Sequence, residues 1–160
     1  MKRLLLPLLV LIAVAGAWLW LHRSQVLPES LHLTFTDGNR SSIGQLRGNP
    51  FMLAFWSVNC SICLQDMPQL RSLHEQLAAQ NIPVIAVSIP QDPPPAVMAT
   101  VREFQPGYPT ALDVRGDIAK AVGGVDATPL NLFVDRQGRI VRRAYGKLDL
   151  DSARKTLSAL

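Results

Sequence analysis

The stretch FMLAFWSVNCSICLQDMP, residues 51–68, decides how this chain is read. Its first six residues, Phe51 to Trp56, are almost uninterruptedly apolar. Such a run predicts a central strand covered on both faces. After it the period changes. Leu64, Met67, Leu70, Leu73 and Leu77 recur every three or four positions, which predicts a helix over 61–79, with Pro68 expected to kink it. Cys60-Ser61-Ile62-Cys63 sits where strand gives way to helix. Cys60 is then expected at the helix N-terminus, where free N–H groups and the macrodipole stabilise a thiolate. Cys63 lies one turn inside and is expected to hold its proton longer. That asymmetry suits thiol–disulfide exchange: the outer sulfur attacks, and the inner one resolves the mixed disulfide.

Other readings of the pair stand beside this one. A structural disulfide fits an exported chain, although its loop is short. A zinc site needs about four ligands, and the chain has no second C-x-x-C or C-x-x-H. Two ordinary core cysteines are the remaining alternative. Asp66, three residues after Cys63, falls on the same side of the helix and can take or return the inner thiol's proton; it can also be a solvated helix residue. Trp56, four residues before Cys60, either walls the site or belongs to the core. The three histidines, His22, His32 and His74, are scattered and form no ligand pair.

Outward from residues 51–68 the elements alternate. Leu31, Leu33 and Phe35 alternate with polar residues as in a half-buried strand, and Asp37-Gly38-Asn39 is a turn signal. Ile82 to Ile89 (IPVIAVSI) predicts a second buried strand, PQDPPP a loop, and 96–104 and 116–122 two helices, the latter stopped by Gly123-Gly124. Leu130 to Val134 and Ile140 to Tyr145 flank the turn Asp135-Arg136-Gln137-Gly138 as a hairpin, and Asp149 or Asp151 can cap a last helix. The predicted order is β, β, α, β, α, α, β, β, α, an α/β mixed central sheet with helices on both faces. Ala127-Thr128-Pro129 leads into the strand at 130. A cis bond there offers the Thr128 backbone to an extended substrate by strand addition, and a trans edge proline is the alternative. Arg136, Arg139, Arg142, Arg143 and Lys147 gather at the hairpin as a charge-protected edge or a docking surface.

The remaining information lies at the N-terminus. The chain has 160 residues, 48% hydrophobic, and a formal net charge of +4. From Leu4 to Leu21, 16 of 18 residues are apolar, a run that spans about 27 Å as a helix, close to the hydrocarbon thickness. Lys2 and Arg3 precede it, which places residues 1–3 in the cytoplasm and the rest outside. Without Lys2, Arg3 and Arg23 the balance falls to 13 basic against 12 acidic residues, so the body carries no phosphate-binding field and no nucleic-acid partner is expected. The division read from sequence is a transmembrane signal anchor at 4–21, a tether at 22–30 and one domain at 31–160. Ala13-Val14-Ala15 and Ala15-Gly16-Ala17 keep a cleaved signal peptide open. Both readings put the body in the same compartment.

FWSVNCSICLQDMP together with ATPLNLFVDRQGRIV resembles the membrane-anchored, thioredoxin-like proteins of bacteria, the TlpA/ResA/CcmG group. The resemblance covers about residues 27–160 and includes Leu46-Arg47-Gly48 ahead of the first strand of the motif and an extra βα insertion between Ile89 and Gly124. It implies a thioredoxin-like fold and a thiol–disulfide oxidoreductase of the inner membrane that faces the periplasm. Cys60 matches the nucleophile, Cys63 the resolving thiol, Pro129 a cis-proline, and Asp66 the place of a functional Glu. The implied redox centre is the Cys60–Cys63 disulfide, without another cofactor. The implied partners are oxidised exported proteins, apocytochrome c among them, and a membrane thiol-electron transporter. Three positions depart from the family: Asn59 replaces a Trp, Ala54 stands where thioredoxin has a buried Asp, and Asp66 is a methylene shorter than Glu. A Cu(I)-handling protein for oxidase assembly and a thiol peroxidase are the rival functions, the first because two thiolates can hold Cu(I).

Overall fold

The computed structural model describes residues 25–160. Their elements run β1 (His32–Phe35), β2 (Arg40–Ser42), α1 (Ile43–Leu46), β3 (Phe51–Trp56), α2 (Ser61–Ala78), β4 (Val84–Ser88), α3 (Pro94–Phe104), β5 (Thr110–Leu112), α4 (Asp117–Ala121), β6 (Leu130–Val134), β7 (Ile140–Tyr145) and α5 (Leu150–Ser158). The strands form one sheet in the order β2-β1-β5-β4-β3-β6-β7. β3 is parallel to β4 and β4 to β5, whereas β6 is antiparallel to both β3 and β7, and β1 is antiparallel to β5 and β2. The sheet is therefore mixed, as the sequence predicts.

β3 has a strand on each side and a helical layer over each face, and all six of its residues are buried. Met52, Ala54 and Trp56 face the layer holding Leu70, Leu73 and Leu77 of α2 and Ala153 and Leu157 of α5. Phe51, Leu53 and Phe55 face the layer holding Ile43, Ile118 and Val122. Each fully buried leucine contributes about 1.5–3 kcal/mol from area removed from water. α2 runs without interruption from Ser61 to Ala78, with Pro68 exposed on its outer side. Asp149 caps α5, its carboxylate accepting from the Ser152 N–H at 2.9 Å.

Two elements, β2 and α1, are additional to those read from sequence, and a third, β5, is implied only by the family resemblance. β2 and β5 are three residues each, and α1 is four. β2 completes the turn at Asp37-Gly38-Asn39, where Gly38 has φ +89° and the Asp37 carboxylate accepts from the Asn39 N–H at 2.9 Å. β5 is the strand of the insertion, lodged between β4 and β1.

The segment read as a tether is, in its described part, laid against the domain. Leu27 is fully buried and its N–H donates to Gly138 O at 2.8 Å, while Ile140 N–H donates to Gln25 O at 2.8 Å. Among the described residues, Gln25 and Leu27 already pair with the turn and strand at 138–140. Among the described residues no helix is long and apolar enough to cross a membrane. The apolar run at 4–21 lies outside them.

Candidate active site

β3 ends at Trp56 and α2 begins at Ser61, so the intervening turn must deliver Cys60 to the helix start. It does so with Cys60 N–H donating to Ser57 O at 3.1 Å and Leu64 N–H donating to Cys60 O at 3.1 Å. Cys60 is the N-cap of α2, and the Cys63 N–H points at its sulfur at 3.2 Å. The two cysteines are joined as a disulfide with their Cα atoms 5.2 Å apart. Cys60 is half-buried and Cys63 is 2% exposed. The outer and inner sulfurs expected from the sequence are therefore distinct in burial and in access to the helix N-terminus.

The pairing of β3 with β6 sets Phe55 opposite Leu130, which brings the residue before β6 level with the end of β3. That residue is Pro129. The Thr128–Pro129 bond is cis, and Pro129 lines a small cavity of about 10 Å³ together with Cys63, Trp56, Asp66, Tyr108, Asn131 and Leu148. Thr128 is half-buried and precedes Pro129 through the cis bond. Trp56 is 4% exposed, and its indole Nε1 has no hydrogen-bond partner. It is a buried wall on the inner side of Cys63, with little surface left to offer a substrate.

Asp66 is 2% exposed. Its Oδ2 accepts from the Leu148 N–H at 2.8 Å, and its Oδ1 is buried without a partner. The structure thus brings Asp66 to the cavity beside Cys63 and excludes the solvated alternative. Ala54, the position of thioredoxin's buried Asp, lines the same cavity, so the carboxylate comes from α2 instead of from the strand. Tyr108 and Asn131 were not singled out in the sequence. Burial pushes the Tyr108 phenol well above the ordinary tyrosine range, against the pull of the Arg71 charge. Asn131, opposite Ala54 in the β3–β6 ladder, is signalled only by a polar residue in the apolar strand LNLFV.

A further residue escaped sequence reasoning. Asp92, within PQDPPP, is 5% exposed. Its Oδ1 accepts from Ser57 Oγ–H at 2.8 Å and its Oδ2 from Val58 N–H at 2.9 Å. The Asn59 N–H donates in turn to Ser57 Oγ at 3.2 Å. Among the described residues no group of three or more His, Cys, Asp or Glu is placed to hold a metal ion.

The family profile described as Redoxin matches residues 23–159. The thiol-disulfide oxidoreductase ResA of Bacillus anthracis is 24% identical over 157 residues, covering 91% of this chain and 90% of that protein. Against ResA of Bacillus thuringiensis subsp. konkukian the match, also 24% identical, spans 65% of that protein's length and 72% of this chain. The fold is shared with a thiol:disulfide interchange protein of Chlorobium tepidum (TM-score 0.75, 17% identity, 86% of this chain and 96% of that one) and with StoA of Bacillus subtilis (TM-score 0.69, 18% identity, 81% and 98%). A thioredoxin-like sheet, a disulfide at the start of α2 and a family match along nearly all of the described residues converge: the chain belongs to the redoxin family.

Proposed function

We propose that this protein is a membrane-tethered thiol–disulfide oxidoreductase that reduces disulfides of exported proteins on the periplasmic side of a bacterial inner membrane. The observation that carries the reading is the Cys60–Cys63 disulfide at the N-terminus of α2, facing the cis Pro129. In the reduced protein the Cys60 thiolate attacks one sulfur of a substrate disulfide. A mixed disulfide forms, and the first substrate sulfur leaves as a thiolate and takes a proton from water. Cys63 gives its proton to Asp66, attacks Cys60 Sγ and expels the second substrate sulfur, which receives the proton. Two electrons pass to the substrate, and the Cys60–Cys63 bond is formed. The Thr128 backbone, next to the cis Pro129, would pair with an extended substrate segment.

Apocytochrome c is the proposed substrate class, and a membrane thiol-electron transporter the proposed source of electrons, as the family likeness implies. The anchor reading rests on the length of the apolar run and its basic flank. Gln25 pairs with Ile140, and three residues, His22, Arg23 and Ser24, lie in sequence between it and the apolar run, a span of at most about 10 Å. Partners would meet the protein close to the bilayer.

Insulin reduction and trapping test the proposal. The reduced wild-type protein should turn over insulin disulfides, Cys60→Ser should not, and Cys63→Ser should accumulate a mixed disulfide through Cys60. Wild-type turnover equal to that of Cys60→Ser would end this reading. A midpoint potential well below about −200 mV fits a reductant, whereas one near about −120 mV, that of a strong oxidant, would reverse the direction. Alkaline extraction of membranes containing the full chain tests the anchor: release into the supernatant would refute it.

A further inference from the structure

We infer that Asp92 is a positioning residue for Cys60, acting from a proline-stiffened post across the loop that carries the nucleophile. This rests on the exchange chemistry proposed above. The turn from Ser57 to Cys60 has no regular secondary structure, yet its sulfur must sit at the N-cap of α2 for the Cys63 N–H to reach it. What holds that turn from behind is a single buried carboxylate. Asp92 takes the Ser57 hydroxyl on one oxygen and the Val58 N–H on the other, at 2.8 and 2.9 Å. Ser57 Oγ passes the constraint on to the Asn59 N–H. Three consecutive residues before Cys60 are thereby tied to a point more than thirty positions later in the chain.

The post itself is stiff. Trp56 O accepts from the Ile89 N–H at 3.1 Å, and the Asp92 N–H donates to Ile89 O at 3.1 Å. Pro90 precedes Asp92, and Pro93, Pro94 and Pro95 follow it, Pro93 as the N-cap of α3. Proline fixes φ and restricts the residue before it, so Pro93 narrows the conformations open to Asp92. A carboxylate fixed in this way loses little freedom when it accepts two hydrogen bonds, and bonds to an ionised acceptor are the stronger kind. Its position off the exposed surface also keeps water from competing for the Ser57 and Val58 donors.

The consequence is a nucleophile whose thiolate is stabilised by geometry. Without Asp92 the turn can drift, Cys60 leaves the N-cap, and its thiolate loses the Cys63 N–H and the helix N-terminus. The reduced form is then disfavoured relative to the disulfide. Loss of the carboxylate's own charge acts in the opposite direction on Cys60, so two variants are needed to separate the effects.

The experiment measures the pH dependence of Cys60 alkylation by iodoacetamide and the equilibrium of the pair with glutathione, in the full-length protein carrying Asp92→Ala, Asp92→Asn or Ser57→Ala. Asp92→Ala should raise the Cys60 pKa by about one unit, a tenfold loss of thiolate near neutrality, and shift the glutathione equilibrium toward the disulfide by a similar factor. Asp92→Asn, which keeps the shape but loses the charge, should leave the Cys60 pKa at or slightly below its wild-type value, and Ser57→Ala, which leaves the Val58 bond, should shift both readouts in the direction of Asp92→Ala by less. Melting temperatures in both redox states accompany these measurements, because a purely structural aspartate would lower them and leave pKa and equilibrium unmoved. That result overturns the inference. So does a fall of the Cys60 pKa in both Asp92 variants, which would mean that the carboxylate acts through charge alone. Neither readout needs a protein substrate, so a wild type inactive on insulin would count against the proposed function without deciding the role of Asp92.

Discussion

Replacing Asp66 with Asn separates its two jobs. One carboxylate oxygen accepts the Leu148 N–H at 2.8 Å, and the other is buried, unpartnered, in the cavity shared with Cys63. Asp66→Ala deletes the first bond and leaves a buried N–H unsatisfied, which costs about 1–3 kcal/mol. Asn can turn its carbonyl toward Leu148 and place its neutral amide where the unpartnered oxygen lies. A neutral group is cheaper to bury than an ionised one, so the stability of Asp66→Asn should stay within about 1 kcal/mol of wild type. Its chemistry should not survive as well. An amide cannot take the Cys63 proton, and a lost general base slows a step by about 10²–10⁴-fold. We expect the resolving step to fall by about 10²-fold, the lower end of that range, because water can reach the sulfurs through the half-buried Cys60 side. Attack by Cys60 should keep its wild-type rate. Rapid-quench gels under non-reducing conditions would then show a mixed disulfide with substrate accumulating in Asp66→Asn and absent in wild type, with urea unfolding run alongside. Resolution at the wild-type rate between pH 6 and 8, with stability intact, would refute a proton-handling role and leave Asp66 as an anchor for the loop before α5.

Asp135 gives a pH-dependent stability. Burial works to raise its pKa, but hydrogen bonds from the Arg139 backbone and guanidinium and from the Gln137 N–H, together with the Arg139 charge, outweigh it and hold the carboxyl below its ordinary range. The folded value is depressed, so the contribution is complete above the unfolded pKa near 4 and is lost as pH falls through the folded value; Asp135→Asn should flatten the stability–pH curve below about pH 4 and leave its shape unchanged near neutrality. Asp135→Ala should cost about 1–3 kcal/mol at pH 7 by chemical denaturation, because it strips an acceptor from the β6–β7 turn. Leu73, fully buried under the cysteine helix, should cost about 2–5 kcal/mol when changed to Ala, with exchange activity per folded molecule unaltered. Asp149→Ala removes the cap of α5 and should lower stability by about 1 kcal/mol in thermal melts, with Asp149→Ser largely restoring it.

The main elements were legible because their signals are local. The apolar run FMLAFW reads as a buried strand, the three-to-four spacing beyond it as a helix, and the turn DRQG as a hairpin. β6 and β7 carry the bounds read from sequence, and α2 ends one residue earlier. The junction of strand and helix put the C-x-x-C at a helix start, where the structure places Cys60 and Cys63. β2 and β5 gave no such signal. Three residues, RSS or TAL, carry neither alternation nor an apolar run, and they are strands because β1 and β4 offer them ladder partners.

The same division runs through the site. Sequence by itself determined the placement of the pair: two thiols at the spacing of one helical turn, preceded by a strand that fixes the direction of the helix. Only the tertiary structure decided what surrounds them. Asp66 could be solvated or buried by sequence, and it is buried because Leu148, 82 positions later, closes over it. Thr128-Pro129 is statistically trans as a dipeptide, and it takes its place against Cys63 through the register that sets Phe55 opposite Leu130. Asp92 is by sequence one residue of a proline loop, and β4, lying parallel to β3, brings that loop behind the turn that carries Cys60. A local period records only what neighbours within a turn or two need. Burial of a carboxylate, a proline facing a disulfide and a clamp on a loop each need partners that strand pairing alone brings near.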